Sequence, residues 1–379
     1  FDFDIHFACA NPKTAYSSNL EGKFINTYSI HLNDKNFESL LQKLQPEIVM
    51  FDRFITEEQF GWRVDEQCPK ALKILDTEDL HFLRENREQA LRNPDEHKNQ
   101  SFLTDKAKRE LAAIYRCDWS LMISKAEIEL LTKTYNVPKQ LLFYFPFIYQ
   151  TDKLQTQDFL DYDSRKHFLS IGNFKHKPNM DMVQYLYQDI WPKIRQKLPQ
   201  AEWHIYGAYC PESIYQLHNL QKGVIVKGRA EEVLSTLEQY KVMLAPLRFG
   251  AGLKGKCLDS MQTGTPSVTT GIGAEGIASA ENWPGFVDNQ PDDFADKAIE
   301  LYTDESLWEC MQNQGFQILK HNFDINPFAD SLKTKILESL KYLDNYRQKN
   351  LIGELLKHHH HRSTKFMSLW IEEKNRLNT

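Results

Sequence analysis

Long apolar runs are missing from this sequence. The longest, Leu141–Tyr149 (LLFYFPFIY), is broken by Pro146, and a membrane-spanning helix needs about 20 apolar residues. Cysteines are few and scattered: Cys9, Cys68, Cys117, Cys210, Cys257 and Cys310 include no C-x-x-C pair. That spacing argues against a disulfide framework or a zinc site and for reduced, buried thiols. Positive charge is not in excess. With 46 Lys and Arg against 52 Asp and Glu, the net charge is −6, which speaks against a protein that coats nucleic acid. Nothing near the start reads as a secretory signal, so a cytoplasmic location is expected, with no transmembrane segment.

What is present suits a globular chain of 379 residues, 41% hydrophobic and 12% aromatic, long enough for two domains and an appendage. Short apolar runs alternate with amphipathic stretches, the pattern of an α/β fold with parallel sheets. DIHFACA, FINTYSI, EIVMFD, LKILDT and WSLMIS read as strands of a first half, with NFESLLQKLQP and KAEIELLTKTY as helices. REQALRNPDEHKNQ is broken by Pro94 into two helical pieces. A polar stretch, QTDKLQTQDFLDYDSRKH, separates the halves. The second half repeats the design, with HFLSIG, EWHIYG, GVIVKG, KVMLAPL and PSVTTG as strands and MDMVQYLYQDIWPKIRQK, EEVLSTLEQY and KCLDSMQTG as helices. After about residue 290 the chain reads as helix throughout. Four consecutive histidines, His358 to His361, read as an exposed helix face, because helical spacing disperses adjacent residues around the axis.

One stretch concentrates the chemistry. APLRFGAGLKGKCLDSMQTGTPSV, residues 245–268, contains G-x-G-x-x-G (Gly250, Gly252, Gly255) and also G-x-x-x-x-G-K (Gly250, Gly255, Lys256). A nucleotide-triphosphate loop would place Ser or Thr next, for Mg²⁺, but Cys257 stands there and suits a hard cation poorly. A dinucleotide fingerprint would be followed by a strand ending in an acidic residue, whereas SVTT ends in Thr270 and Glu275 lies within GIGAEGI. Common to both is a strand, a glycine turn and a helix opening with Lys254 and Lys256. Free amides and the helix dipole favour an anion there, and lysines so placed oppose the dipole unless an anion arrives.

The order strand, GAGLKGK, helix, TGTP, strand, GIGAEGI resembles the C-terminal domain of retaining glycosyltransferases of family 4, with their GT-B fold. IGNFKHKPN, WHIYG, VKGRAEEV and, in the first half, ISKAEIELL are similar to further landmarks of that family, so the resemblance covers most of residues 45–330. It implies two Rossmann-like domains facing across a cleft. Their expected bounds are residues 1–155 for the acceptor side and 156–325 for the nucleotide-sugar side, with helices 326–379 packing back on the first domain. Two departures stand out. The family's Glu-x₇-Glu falls here on Ala251 and Asp259, so the carboxylate that would grip the donor sugar is missing. No Gly precedes Gly22, and the family's first strand and glycine loop have no counterpart, so an N-terminally truncated chain is expected.

The implied activity is transfer of a sugar from a nucleotide-diphosphate sugar to a hydroxyl of a glycan, lipid or other acceptor. Retention is expected, without cofactor or metal, and peripheral membrane contact is compatible with it. Lys254 and then Lys256 are the candidates for the diphosphate. The amides of Gly250 and Gly252 would face it, and Asp259, on a helix face shared with Lys256, would accept from the ribose. Lys175 and Lys177 follow the first strand of the second half, and Arg248 and Glu275 flank the turn. On the acceptor side, Asp76, Asp79 and His81 follow a strand, with Asp52 and Arg53 at a neighbouring strand end. Asp76 aligns near a family histidine, and His81 could supply the imidazole. A plainer reading makes Asp76 or Thr77 a helix cap. The alternatives are a catalytically impaired nucleotide-sugar-binding protein on the same fold, an NTPase and a dehydrogenase.

Overall fold

Parallel strands can be joined only through crossovers, and in this chain the crossovers are the amphipathic helices. The computed structural model describes residues 3–14, 17–97, 103–155 and 159–377. In the first lobe, β1 (His6–Cys9) and β2 (Asn26–Ser29) form a parallel ribbon of their own. There follow α1 (Asn36–Leu44), β3 (Ile48–Asp52), α2 (Arg53–Gln67), β4 (Leu72–Asp76), α3 (His81–Arg92), α4 (Pro94–His97), α5 (Asp105–Arg116), β5 (Trp119–Met122), α6 (Lys125–Lys133) and β6 (Leu142–Tyr144). The sheet order is β3-β4-β5-β6, all parallel.

That sequential order puts its helices on one face. There Phe51, Leu75 and Met122 pack with Phe54, Phe60, Val64, Ala113 and Leu131. The residues of opposite parity, Leu72, Ile74, Trp119 and Leu121, point to the other face and would be bare. They are covered by Ile336 and Leu343, from the end of the chain. Each such buried side chain is worth about 1.5–3 kcal/mol.

The second lobe runs β7 (Lys166–Ile171), α7 (Lys177–Tyr185), α8 (Trp191–Lys197), β8 (Trp203–Tyr206), α9 (Glu212–Tyr215), β9 (Val224–Gly228), α10 (Val233–Leu237), β10 (Tyr240–Ala245), α11 (Gly255–Gln262), β11 (Ser267–Thr269), α12 (Gly271–Ala274), β12 (Gly285–Val287), α13 (Pro291–Thr303) and α14 (Glu305–Asn322). Its six-stranded sheet has the order β12-β11-β10-β7-β8-β9. The direction of winding reverses between β7 and β10, and a crevice opens beyond their C-terminal ends, the place where open α/β sheets bind ligands.

The closing helices α15 (Ile325–Lys341), α16 (Leu343–Gln348) and α17 (Leu351–Leu377) return to the first lobe. Trp119 Nε1 donates to Ser339 Oγ at 3.1 Å, and Arg347 forks Asp118 at 2.8 and 2.9 Å. Buried Arg63 pairs with Glu372 of α17. No helix among the described residues is long and apolar enough to cross a membrane. His358 and His359 are exposed on α17, whereas the side chains of His360 and His361 lie outside the described residues.

Four elements escape the sequence reading. β6 lies inside LLFYFPFIY, and β12 is only three residues long. Helices α2 and α5 bury charged residues on their inner faces. Glu57 is paired with Arg116 at 2.5 Å, each side chain 2% exposed, and Arg63 sits beneath Glu38 and Glu372. In α2 the inward charges break up the apolar period by which a helix is recognised, whereas α5 keeps an apolar face of Ala107, Ala113 and Ile114 beside its buried charges.

Candidate functional site

The turn between β10 and α11 lies at the switch point, in contact with the first lobe. Gly252 has φ 61°, and a Cβ there would lie 2.8 Å from Asp79 Cβ and 3.0 Å from Ile123 Cδ1. Its amide donates to Glu127 Oε1 at 2.8 Å. This corrects the expectation that the Gly252 amide faces the crevice unsatisfied: a carboxylate from α6 holds it. Ala251, where the resembled family carries a Glu, is buried, yet a carboxylate reaches the adjacent residue from the opposite lobe.

The two lysines are not solvated. Lys254, 7% exposed, donates to the Gly252 carbonyl at 2.8 Å. Burial holds its ammonium below the usual lysine range, with Glu275 pulling the other way. Lys256 donates to Asn179 Oδ1 at 2.6 Å, and burial pushes it down to about 8. Among the described residues, no ion pair engages either of them. Buried cations are ordinarily paired, whereas these two ammonium groups have no ion-pair partner among the described residues, Glu275 and Glu127 acting on Lys254 only at longer range.

The second lobe's remaining candidates are engaged elsewhere. Lys256 and Asp259, three residues apart on α11, engage different partners. Asp259 turns to Tyr149, whose hydroxyl donates to it at 3.4 Å, and burial pushes its carboxyl up to about 6. Arg248 leaves the glycines for α7, donating to Asp181 at 2.9 Å with its guanidinium 4.7 Å from the Tyr185 ring centroid. Lys175 sits over the Tyr209 ring at 3.7 Å, and Lys177 reaches Glu88 of α3 at 3.0 Å. Glu275 is forked by Arg87 of α3 at 2.7 Å on both oxygens, and Arg87 also donates to the Gly250 carbonyl at 2.8 Å. Burial would raise Glu275, but Arg87 holds it below the usual carboxylate range.

The two nucleotide alternatives fail on this geometry. The turn follows β10, the fourth strand of its lobe rather than the first. Cys257 is fully buried, its thiol pushed up to about 12 by that burial, and offers no magnesium ligand. Glu275 meets an arginine, not the place of a ribose.

On the first lobe, Asp52 and Asp76 are neighbours in register at the strand ends, and Arg53 forks Asp52 at 2.8 and 2.9 Å. Burial raises Asp76, and Asp52 adds to that. Asp79 pairs with Arg84 and lies 3.5 Å from His81 Nε2. Burial pushes His81 down to about 4 against the pull of Asp79, with Arg84 and Arg53 adding to the push. The imidazole is therefore neutral near pH 7. Asp76 and Thr77 do not cap α3, since that helix starts after Leu80. Its first amides are held by two buried carboxylates instead. Glu127 accepts from Leu80 N at 3.1 Å, and Glu110 accepts from His81 N and Phe82 N at 2.9 and 2.6 Å. Across the crevice, His176 at the head of α7 is within electrostatic reach of Arg84 and Asp79.

Sequence reasoning therefore missed Arg87, Glu88, Glu110 and His176, and reached Glu127 only as the glutamate of a family landmark, without a partner. ISKAEIELL did mark α6, but a partner 125 residues away leaves no local trace.

Part of this arrangement matches a known family. Residues 165–304 fit the family model described as glycosyl transferases group 1. The matched segment is under half of the chain and contains β7 through β12 with the glycine turn. The whole chain has the GT-B fold, two Rossmann-like lobes across a crevice with added C-terminal helices. It is similar to Anabaena Alr3699/HepE solved with UDP and glucose, at TM-score 0.62 and 13% identity, covering 84% of this chain and 87% of that one. It is similar also to the pneumococcal O-GlcNAc transferase GtfA in complex with UDP and GlcNAc (TM-score 0.57, 16% identity, 80% of this chain and 60% of that). A third is a mutant of S. aureus TarM in complex with Fondaparinux, alpha-GlcNAc-glycerol and UDP (TM-score 0.59, 13% identity, 79% of this chain and 58% of that). This chain thus spans less than two thirds of the GtfA and TarM chains. No curated protein matches it by sequence.

Proposed function

We propose that the protein transfers a hexosyl group from a nucleoside-diphosphate sugar to an acceptor hydroxyl, in the manner of family 4: with retention, and without a metal. The observation that carries this reading is the pair of ammonium groups at the N-terminus of α11, Lys254 buried and Lys256 half-buried, neither of them in an ion pair among the described residues. A diphosphate would supply their counter-charge, and the helix dipole would favour it. As the glycosidic bond breaks, negative charge grows on the leaving oxygen. A lysine whose bond strengthens at that moment contributes a rate factor on the order of 10²–10³. The lysines take the role a metal would otherwise have. Asp259 would accept from the ribose, and the glycan, lipid or other acceptor would lie on the side of Asp76, Asp79 and His81. Neutral His81 has a lone pair to offer a hydroxyl.

Lobe contacts support a donor held between the halves. Arg87, Glu88 and Glu127 of the first lobe grip Glu275, Lys177 and Gly252 of the second. UDP is the first nucleotide to test, because the similar structures were solved with it. A melting-temperature panel of UDP-, GDP- and ADP-sugars against ATP and NAD, with and without EDTA, examines the whole reading. The expected outcome is stabilisation by a nucleoside-diphosphate sugar that survives EDTA and is lost in Lys254→Ala. Full affinity and turnover in that variant would remove Lys254 from the site. Stabilisation without any turnover would favour the binding-only alternative.

A further inference from the structure

Glu127 is a carboxylate shared by two lobes. It stands in the first turn of α6, 1% exposed, and its Oε1 accepts both the Leu80 amide at the head of α3 and the Gly252 amide in the glycine turn. One atom thus sets the separation between an element of the first lobe and an element of the second. The fit around it is tight. Gly252 has no room for a Cβ on the first-lobe side, as its approach to Asp79 and Ile123 shows. Gly276, at φ 79°, presses on the same turn of α6, where a Cβ would lie 2.9 Å from Ser124 Oγ. Two glycines of the second lobe are therefore seated on one helical turn of the first.

The seat is incompletely satisfied. Among the described residues, Ser124 Oγ and Glu127 Oε2 are buried without a hydrogen-bond partner. A buried unsatisfied polar group costs about 1–3 kcal/mol, so parting the lobes returns these atoms to water and recovers part of the loss of the two-lobe contact. A permanent interface would have paired them. An interface that must open to admit one substrate and release another can leave them so.

We propose that Glu127 is a positioning residue of the transfer reaction: by holding Leu80 and Gly252 on one oxygen, it fixes the helix bearing His81 and Arg87 at its working distance from the turn bearing Lys254. This rests on the glycosyltransferase reading. Glu127 touches neither donor nor acceptor in this scheme and acts through the groups it sets in place. The charged groups that face it are Asp79 from the loop before α3, Glu110 from α5 and Lys254 from the glycine turn. Burial pushes its carboxyl up to about 7, the two amides and Lys254 opposing and Asp79 adding. A raised value in the closed form means that closure binds a proton more tightly than the open form does. Closure is then most favoured below the ordinary carboxylate value near 4.5 and weakens as pH rises from there through about 7, where both forms become ionised.

Small-angle scattering and donor kinetics on the wild type, Glu127→Ala and Glu127→Gln test the proposal. Glu127→Ala is expected to enlarge the radius of gyration and leave UDP affinity largely intact, while turnover falls about 10- to 100-fold through misplacement. Glu127→Gln keeps the accepting oxygen and removes the titration. It should regain most of the closed radius and turnover, and lose the expansion of the wild type between about pH 5 and about pH 7. The proposal is overturned if Glu127→Ala matches the wild type in radius and turnover, or if Glu127→Gln is as open as Glu127→Ala. Should the alanine variant fail to fold, the pH series of the glutamine variant still decides. Failure of UDP-, GDP- and ADP-sugars alike to bind the wild type would instead remove the transferase reading, and scattering alone would then settle the lobe contact.

Discussion

The two lobes bring opposite electrostatics to the crevice. On the second, Lys254 and Lys256 are desolvated at a helix N-terminus, and their bonds go to neutral acceptors, the Gly252 carbonyl for the first and Asn179 Oδ1 and Met182 Sδ for the second. On the first, the rim is crowded with carboxylates: Asp52 and Asp76 side by side, with Glu78 and Asp79 next, and arginines already committed to Asp52 and Asp79. A dianion arriving at the first rim would meet those carboxylates, whereas at the second it would find two cations that no ion pair among the described residues engages. Under the proposed transfer, leaving-group charge would fall to the second lobe, and the first, with acceptors and a neutral imidazole, would suit hydroxyl groups and a sugar developing positive charge.

If that division is right, joining the lobes matters more than any contact within one. Arg87→Ala would break the fork on Glu275 and the bond to the Gly250 carbonyl together, leaving Glu275 half-buried without its cation. Charged hydrogen bonds of this kind are worth about 1.5–3 kcal/mol each. The expected result is the largest loss in the set: turnover down at least tenfold, on the scale that one such bond implies, and a more open particle in scattering. Retention of wild-type turnover would mean that the fork is a surface ornament, and the comparison of lobes would lose its bridge.

The lobes also differ in how much of them could be read in advance. The glycine turn is local: strand, Gly250, Gly252, Gly255 and two lysines fall within a dozen residues, and backbone geometry follows from glycine spacing. The order of β7 through β11 was legible for the same reason, as each apolar run ends at a turn residue. Arg87 and Glu275 are 188 residues apart, and only closure of two lobes makes them a pair. Glu110 carries no mark in the sequence, and Glu127 is marked only as the glutamate of a family landmark, because a buried carboxylate that caps another helix's amides looks the same in sequence as a solvated one. Lys254 and Lys256 were recognised as residues but not as buried ones. Their burial depends on α7 supplying Asn179 and on the first lobe covering the turn.

A middle-sized effect separates the cap of α3 from the crevice. Glu110 is 4% exposed, and burial pushes it up to about 8 despite the two amides it accepts. A folded-state value above the usual one near 4.5 means that its contribution to stability is complete below that value and lost as pH rises through about 8. Glu110→Gln cannot accept both amides, so it should cost about 1 kcal/mol at pH 5. That deficit should shrink toward pH 9, because the variant no longer has a carboxylate to ionise. Melting temperatures across the range check it. A constant deficit would show that Glu110 ionises freely, and the acidic rim would then carry one more charge.

The smallest effect is expected at the second lobe bridge. Lys177 reaches Glu88 at 3.0 Å, but its side chain is 68% exposed, and Glu88 is shared with Arg92 at 2.9 Å. Such pairs contribute about 0–1 kcal/mol and are screened by salt. When Lys177 is removed, Glu88 keeps a cation on its own helix, so nothing buried is left unpaired. Lys177→Ala should therefore leave melting temperature and turnover near wild type, most nearly so at high salt. A turnover loss rivalling that of Arg87→Ala would say that Lys177 leaves Glu88 to meet the diphosphate. The cationic wall of the second lobe would then extend from the glycine turn across to the head of α7.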